Sequence, residues 1–559
     1  MIQGDETNGA SFEGGSPVDR LSELFGVRVQ FRYSCLDRIV LHGYLTGLQR
    51  PEQLVYFFHD VVGVACIEPK VLQGRTTAYR GWVDQFTQGQ GIPVLAAPKG
   101  VRKEELVRPY YGKLGPHEGI ACVLTSLENN RTFISYTPQR TPRSGDENYR
   151  RIDTGRKRFQ HLYWYVWDPI MGPMSLRVAT YLPFTITAYL NGHHFVSQRL
   201  READVAFYQR DNAILSVSDP VALQAAANSL TPTILQERCD YWAAKLAPAF
   251  SPAERARVDL RYRYSLAQIE LATDVIFEQP SPLRALFRRA VELGLLLGGA
   301  DRTSHLFGRQ ITSRYGGKLQ TVLDRRNEGH PVLRSYYQTS FVKQYEKAET
   351  LLRTETCIND PYHLNVGRRL ENLPTLAARM AETNQRFLDA QAELLACTVD
   401  QGELARLAQP VQLGTRRVPG LRLQDDRVIR LLDVLLHPGS FVADWTSRDV
   451  LARLLERHRL PETDYRLSQL RYDLGKLRAH GFVERIGRTR RYRLTARGLK
   501  LGVLLVKLRT RLLGPIATLA TASTPQPVTT NDSAVEAAFR QLDLALDHLC
   551  STLGLKPAA

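Results

Sequence analysis

The segment between residues 421 and 515 follows regular patterns of hydrophobic and polar positions. DRVIRLLDVLL, from Asp426, and DVLARLLERH, from Asp449, place apolar residues three and four positions apart, as an amphipathic helix does. A third helix is predicted over YRLSQLRYDLGKLRAH, whose apolar stripe is Leu467, Leu470, Leu474 and Leu477. Two alternating runs, FVERI and RYRLT, follow around GRTR and predict a β-hairpin. Three helices and a basic hairpin predict a winged helix-turn-helix over residues 421–515.

Residues 236–410 combine helical and alternating patterns. Helices are predicted over residues 284–297 and 373–396. Between them, three runs predict an antiparallel meander: KLQTVLDRR, PVLRSYYQTSFVKQYEK and LLRTETCI, joined by NEGH and AET turns. We therefore expect helices around a meander in this part of the chain.

The first 235 residues predict two further domains. Residues 25–155 read as a small α/β domain, with strands in VRVQFRY, LVYFFHDVVGVACI and IPVLAAP and helices over TTAYRGWVDQF and from Arg102 to Tyr111. Residues 156–235 read as an α+β domain with aromatic strands. The predicted fold class is multidomain α+β: an N-terminal α/β domain, a central α+β sheet region with helices, and a C-terminal winged helix-turn-helix.

Three terminal segments complete the predicted organisation. Gly-rich residues 1–24 are expected to be a flexible N-terminus, and the Thr, Ala and Pro of residues 516–533 are typical of a linker. Residues 534–553 have the apolar spacing of an amphipathic helix. That helix has two equal interpretations, a homodimer contact or docking onto its own chain.

Composition narrows the class of protein. Of the 559 residues, 43% are hydrophobic, enough to bury several cores. No apolar run approaches the roughly 18 residues of a membrane span, and the N-terminus lacks the pattern of a signal peptide. We expect a cytoplasmic protein without a membrane partner. The seven scattered cysteines have no disulfide or zinc spacing.

Positive charge is concentrated near the C-terminus. The chain has a net charge of +17, and Arg466 to Arg511 contain fourteen Lys and Arg residues against two acidic ones. Such a cluster predicts DNA as the partner, the alternative being a protein-docking module with a solvated basic face. The DNA-binding residues predicted on the third helix and hairpin are Arg466, Ser468, Gln469, Arg471, Tyr472, Lys476, Arg488, Arg490, Arg491 and Arg493.

LRAHGFVERIGRTRRYRLT, from Leu477 to Thr495, resembles the end of the recognition helix and the wing of MarR-like winged-helix domains. The resemblance covers about residues 421–511. It implies that residues 465–476 enter the major groove and that the wing arginines reach the DNA backbone or minor groove.

A second nucleic-acid site is predicted in RKRFQHLYWYVWD, from Arg156. Tyr163, Tyr165 and Trp167 alternate onto one face of a strand after three basic residues, Arg156, Lys157 and Arg158, as in proteins that bind single-stranded DNA or RNA. The alternative is a strand buried on both faces, because the intervening residues are also apolar. The neighbouring His193 and His194 are expected to point to opposite faces of a strand or extended turn, and so not to share a metal.

The meander carries the densest candidate chemistry. Lys343, Tyr345 and Lys347 are expected on one face opposite Arg353 and Glu355, and a tyrosine can attack a phosphodiester when cations and a metal offset the charge. The predicted catalytic residues are Tyr345, Lys347 and Glu355. Glu270 and Asp274, four apart on a predicted helix face, are the candidate ligands of Mg²⁺ or Mn²⁺. The alternative to catalysis by the meander residues is that they form an ordinary salt-bridged face of the sheet.

KQYEKAE followed by LRTET resembles strands of rolling-circle replication initiators over about twenty residues. This resemblance implies a nucleic-acid-cutting sheet with a catalytic tyrosine and a divalent metal, in which Lys347 and Glu355 are the matching positions. The sequence lacks the family's His-hydrophobic-His metal motif.

Three functions remain open from the sequence. The whole chain resembles an uncharacterised bacterial family found around mobile elements, and this resemblance implies no mechanism. The first possibility is a DNA-binding protein of a mobile element, either a replication initiator or a strand-cutting enzyme. The second possibility is a non-catalytic winged-helix transcriptional regulator. The third is an accessory protein that binds single-stranded DNA or RNA.

Overall fold

A computed structural model describes residues 29–97, 101, 103–138, 150–279, 320–327, 330–337, 339–396, 406–413, 416–421, 425–437, 440, 444–487 and 489–509. These residues form a mixed α+β structure with four sheets, so the predicted α+β class is confirmed at that level. One sheet has eleven strands and includes most of the regular structure before residue 360.

The strands alternate with helices in the first 280 residues and form the meander after residue 319. The strands are β1 (Val29–Leu45), β2 (Val94–Ala96), β3 (Gly119–Tyr136), β4 (Arg151–Asp168), β5 (Gly172–Ala179), β6 (Ile186–Leu190), β7 (Phe207–Arg210), β8 (Ala213–Val217), β9 (Tyr262–Phe277), β10 (Gln320–Asn327), β11 (His330–Tyr337), β12 (Ser340–Lys347), β13 (Leu351–Ile358), β14 (Val411–Leu413), β15 (Arg416–Val418), β16 (Trp445–Thr446), β17 (Val483–Arg485) and β18 (Arg491–Leu494).

The helices pack around the sheets. They are α1 (Pro51–Tyr56), α2 (Pro69–Gly89), α3 (Lys103–Leu114), α4 (Gly192–Glu202), α5 (Pro220–Asn228), α6 (Pro232–Leu246), α7 (Pro252–Arg257), α8 (Leu373–Ala396), α9 (Asp426–Leu435), α10 (Ser447–His458), α11 (Leu467–Ala479) and α12 (Ala496–Leu508). Among the described residues, no helix combines the length and apolar character that crossing a bilayer requires.

The large sheet has two halves with the same connectivity. Its strand order is β10-β11-β12-β13-β9-β1-β6-β5-β4-β3-β2. In each half, one strand (β1 or β9) is followed later by a four-strand antiparallel run whose last strand returns beside the first. β1 and β9 pair antiparallel at the centre, and β2, which pairs parallel with β3, has no counterpart in the other half.

The predicted boundaries at residues 155 and 235 do not separate this sheet. β4 begins at Arg151 and pairs with β3 along Gly119–Tyr136, while β9 pairs with β1 from Val29 to Leu45. The segments 25–155, 156–235 and 236–410 therefore all contribute strands to one sheet. Local alternation predicts strands but not which distant strands pair, and that is why three domains were expected.

The centre of the sheet is closed by side chains as well as strands. β6 pairs with β1 only between Ile39 and Gly43, so no described strand pairs with the earlier part of that β1 edge. The Gln224 side chain of α5 fills this position, because its amide accepts from the Ser34 N–H at 2.8 Å and donates to the Ser34 carbonyl at 3.1 Å. A backbone edge in the protein interior is thereby hydrogen-bonded.

Two local expectations are corrected. LVYFFHDVV, expected to be a strand, is helical: Pro51 begins α1 and the helical turns continue through Val62. Proline suits the first turn of a helix, and that signal outweighs the apolar run. The predicted strand PVLRSYYQTSFVKQYEK is two strands, β11 and β12. The N-terminal segment 1–24, the helix at 284–297, the linker 516–533 and the helix at 534–553 lie outside the described residues.

Residues 425–509 contain three helices, α9, α10 and α11, followed by a β-hairpin and α12. β16, β18 and β17 form a three-stranded antiparallel sheet, with Trp445 opposite Tyr492. A separate hydrophobic core holds these elements together and contains the predicted stripe residues Leu470, Leu474 and Leu477. α12 approaches the hairpin closely, since a Cβ at Gly498 would lie 1.9 Å from the Phe482 carbonyl oxygen.

Candidate functional site

A buried group of charged residues lies on one face of β9, β12 and β13. Antiparallel register places Lys343 opposite Glu355, and Tyr345 opposite Arg353, which in turn faces Asp274. Alternate residues of a strand share a face, so these side chains meet. We name Glu270, Asp274, Lys343, Tyr345, Arg353 and Glu355 the front-face cluster.

Arg353 and Asp274 form the innermost ion pair of the cluster. Nε and Nη2 of Arg353 donate to the two carboxylate oxygens of Asp274 at 2.7 and 2.6 Å, and both side chains are fully buried. Nη1 of Arg353 also lies 3.6 Å from Oε1 of Glu355. The two parallel bonds give a bidentate pair, the geometry in which arginine binds a carboxylate most strongly.

Glu355 joins this pair to Tyr345 and Lys343. The Tyr345 hydroxyl donates to Oε1 of Glu355 at 2.7 Å, and Lys343 forms ion pairs with Glu355 and, at 3.2 Å, with Glu270. Burial lowers the pKa of Lys343, but the Glu355 carboxylate, together with Cys357 and Glu270, raises it well above its usual range. Lys343 therefore remains a cation between two carboxylates.

The predicted catalytic residues are only partly brought together. Tyr345 and Glu355 are hydrogen-bonded, but Lys347 contacts Asn212 in the β7–β8 turn. Tyr345 is only 7% exposed. Burial, followed by the Glu355 carboxylate, raises its pKa far above 10, so the phenol is protonated at neutral pH. This environment is that of a structural hydrogen-bond donor, because the described residues leave little of Tyr345 open to solvent.

The predicted metal ligands lie on a strand and not on a helix. Glu270 and Asp274 are in β9, which pairs on both sides and whose buried β-branched residues fit a central strand. Arg353 occupies both carboxylate oxygens of Asp274. Buried Glu270, Glu355 and Cys357 bring ligand atoms within 4.8 Å of one another, but the Lys343 ammonium already holds the position between the two carboxylates. Binding of Mg²⁺ or Mn²⁺ stays a prediction.

A hydrogen-bonded chain connects the cluster to the start of α4. The Asn212 carbonyl accepts from Arg353 at 2.5 Å, and its amide donates to Asp37 at 2.7 Å. Asp37 also accepts from Asn191 at 3.2 Å and lies 3.1 Å from Nδ1 of His193. Sequence reasoning missed Asp37 and Asn212, because neither belongs to a motif and a β-bulge in β1 turns Asp37 inward.

His193 is charged in this environment. Burial alone lowers its pKa, but Cys35 and the Asp37 carboxylate raise it to about 10. Burial opposes ionisation of Asp37 as well, yet His193 holds the pKa of that carboxyl well below its usual range. A raised histidine pKa stabilises the folded state fully below about pH 6.5, and this stability is lost as the pH rises through about 10.

The two adjacent histidines have different surroundings. They lie in the first turn of α4 and not in a strand, because Asn191 caps the helix by accepting from the His193 N–H. His193 is buried against Tyr33 and Asp37, whereas the His194 ring packs edge-on against Trp167. They do not form a shared ligand pair.

The aromatic strand β4 is covered by its own chain. On one face, Tyr111 of α3 packs against Tyr165 and Trp167 at 6.3 and 6.5 Å between ring centres, and the Lys103 ammonium lies 3.2 Å above the Tyr163 ring. On the other face, Leu162, Trp164 and Val166 are buried. The rings therefore contribute to packing. Of the basic residues, Arg156 and Arg158 are exposed, and Lys157 lies over the Tyr181 ring.

The predicted DNA-binding residues of α11 mostly face solvent. Four are exposed: Arg466, Ser468, Arg471 and Tyr472. Gln469 is half-buried and accepts from the Arg466 N–H at 2.7 Å, so it caps the helix. The expectation that Lys476 is available to solvent is wrong, because it is only 8% exposed on the side that packs inward with Leu477.

The hairpin arginines differ in their contacts. Arg490 is exposed, and Arg491 donates to the Asp444 carbonyl at 3.0 Å. Arg493 is paired with Glu484 and, at 3.0 Å, with Glu382 of α8. Arg488 lies outside the described residues. Of the predicted hairpin residues that the structure describes, Arg490 is exposed and has no ion pair, while Arg493 joins the hairpin to α8.

Comparisons with known proteins give no relative. No family model, no curated protein and no solved structure matches the chain.

Proposed function

We propose that the protein binds duplex DNA through a winged helix formed by residues 425–509. The observation that carries this proposal is the exposed polar face of α11, formed by Arg466, Ser468, Arg471 and Tyr472. The order of helices, the three-stranded sheet and the basic hairpin agree with a winged helix, in which the last of the three helices enters the major groove.

The charge of this face is not neutralised by acids on the same helix. Asp473 is the acid of α11, and it is buried, accepting from Arg427 at 2.8 Å and from the Tyr465 hydroxyl at 2.6 Å. Arg466 and Arg471 form no ion pair among the described residues. The 13 residues of α11 span about 20 Å, a length that suits the major groove.

We propose that the protein binds duplex DNA and does not cut it through Tyr345. An attacking phenol must reach the phosphorus atom, whereas the Tyr345 hydroxyl is buried, keeps its proton and donates a hydrogen bond to Glu355. A role in a mobile element and the distinction between regulator and replication protein stay predictions. The closed cluster favours the non-catalytic alternatives over a strand-cutting enzyme.

The test measures duplex affinity against salt concentration. Fluorescence anisotropy with a labelled duplex library gives the slope of log K against log salt, which falls by about 0.9 for each lost phosphate contact. We expect Arg466→Ala/Arg471→Ala to reduce the slope by one to two such steps and to weaken binding. Lys113→Ala, an exposed lysine on α3, is the matched control and should leave both unchanged.

A parallel incubation of supercoiled DNA with Mg²⁺ or Mn²⁺ tests the non-cutting part. The DNA should stay intact in the presence of the wild-type protein. An unchanged salt slope in the double variant would remove α11 from the interface, and a nick that disappears in Tyr345→Phe would contradict the structural role of that tyrosine.

A further inference from the structure

A large cavity lies beside the β3–β4 hairpin, away from the front-face cluster. β2 pairs with β3 only as far as Thr125, and β5 pairs with β4 only from His161 onward. The distal part of the hairpin therefore extends beyond both neighbours, and α2 contributes to the wall beside it. The resulting cavity has a volume of about 940 Å³. This size is at the upper end of the range for small-molecule sites.

The wall of the cavity is basic. Arg80 of α2, Lys103 of α3 and Lys157 and Arg158 of β4 line it, and the described lining contains no Asp or Glu. Arg80 and Arg158 form no ion pair within the described part of the chain. Burial lowers the pKa of Lys103, and Glu128, 4.0 Å away, opposes this only in part. Four basic residues from three elements thus line the cavity with little compensating charge, and they lie on both faces of β4: Arg80 and Arg158 on the face that α2 covers, Lys103 and Lys157 on the face of Tyr163.

An unused hydroxyl also lines the cavity. Thr76 is only 4% exposed, and its Oγ1 has no hydrogen-bond partner among the described residues. A buried hydroxyl normally has a partner. A ligand oxygen in the cavity would provide it, and this observation is independent of the charge of the wall.

The aromatic residues of the cavity are occupied by the protein itself. Phe159 stacks on His161 with ring centres 4.6 Å apart, and the Lys157 ammonium lies 4.4 Å from the centre of the Tyr181 ring. The rings of Phe159 and Tyr181, which line the cavity, are both buried. Binders of single strands present open rings for base stacking. The cavity instead offers cations and a hydroxyl, which are groups that recognise phosphate oxygens.

We propose that this cavity binds a small polyphosphorylated ligand with the size and charge of a nucleoside triphosphate. The recognition comes from Arg80 and Arg158 at the phosphates, with Thr76 of the same face donating a hydrogen bond, and Lys103 and Lys157 add positive charge at the rim. The inference is independent of DNA binding by α11, since it uses none of the same residues.

Isothermal titration calorimetry of the full-length protein tests the proposal. The probes are tripolyphosphate, ATP and GTP, titrated separately in a buffer without phosphate. We expect a Kd below 1 mM for at least one probe. Affinity should fall about tenfold or more in Arg80→Ala and in Arg158→Ala, because each variant removes a charged hydrogen-bond donor. Lys113→Ala should bind as the wild type does.

Thr76→Val separates binding from folding. It removes the hydroxyl while keeping the shape of the side chain, so the melting temperature of the free protein should not fall. Affinity for the phosphate probe should fall about tenfold. Tighter binding of ATP or GTP than of tripolyphosphate would support the proposal and show that the nucleoside contributes, and equal binding would support recognition of phosphates alone.

Three results would overturn the proposal. One is the failure of all three probes to bind below 1 mM. Another is binding that Arg80→Ala and Arg158→Ala leave unchanged, which would place the phosphates elsewhere. For the third, a thymidine oligonucleotide is titrated as a fourth probe: if it binds, loses affinity in Arg158→Ala, and no triphosphate binds, the cavity is part of a single-strand site.

Discussion

Replacing Asp274 by asparagine tests whether the buried ion pair stabilises the sheet. The change keeps the size of the side chain but removes the charge that Arg353 contacts through two hydrogen bonds of 2.7 and 2.6 Å. Such charge-assisted bonds contribute about 1.5–3 kcal/mol each. Removing one partner of a buried pair costs about 3–5 kcal/mol. The two routes agree, and we expect the free energy of unfolding to fall by about 3–5 kcal/mol.

Urea unfolding, followed by the fluorescence of buried Trp164 and Trp242, measures this loss. With a denaturant dependence of about 3 kcal/mol per molar, the midpoint should move down by about 1–2 M. Glu202→Gln is the matched control, because it removes one charge from the exposed pair Arg199–Glu202 and should cost less than about 0.5 kcal/mol.

A second variant shows whether the loss comes from the pair. In Arg353→Gln/Asp274→Asn, no unpaired charge is left between the two positions. The loss of unfolding free energy in this double variant should therefore be smaller, by more than about 1 kcal/mol, than the summed losses of Arg353→Gln and Asp274→Asn. A loss below about 1 kcal/mol in Asp274→Asn, or additive losses, would refute the reasoning.

Three further predictions concern other parts of the chain. His193→Asn should remove the part of the stability that the wild type loses between about pH 6.5 and 10, as urea unfolding at pH 6, 8 and 9.5 will show; parallel pH curves would contradict it. Tyr345→Phe removes the hydroxyl that donates to Oε1 of Glu355, while the ion pair of Glu355 with Lys343 remains, and should cost about 1–3 kcal/mol of stability while duplex affinity is retained. Gly498→Ala places a Cβ against the Phe482 carbonyl and should lower the melting temperature and weaken duplex binding together, and an unchanged melting temperature would show that α12 can shift.

The sequence predicted those elements whose signals are local. The helices at residues 426–436 and 373–396 and the β-hairpins of the meander agree with α9, α8 and β10 to β13, because their apolar spacing and turn residues lie within one element. The segment of β9 from Glu270 to Asp274 was misread as helical. Its pairing with β1 and β13, and not its own pattern, makes it a strand.

The candidate sites depended on contacts that a single sequence does not show. The period of two places Tyr345 on the same sheet face as Lys343, but it does not reveal that Glu355 accepts a hydrogen bond from the phenol or that the ring is covered. Asp37 and Asn212 are 175 residues apart and meet only through the fold. The basic cavity likewise collects Arg80 and Arg158 from elements that no local motif connects.

The central position of β1 has a consequence for synthesis of the chain. β1 emerges first among the described strands, yet its neighbours β6 and β9 begin at Ile186 and Tyr262. At about 5–20 residues per second, a ribosome makes β9 some ten to forty seconds after β1. Until β6 has been made, about seven to thirty seconds after β1, both edges of this strand of 17 residues are unpaired, and the edge that β9 will cover stays unpaired for the whole interval. Unpaired edges are the state in which strands aggregate. The newborn chain therefore needs either a temporary cover for β1, from a chaperone or from its own helices, or slow release until the second half has been made.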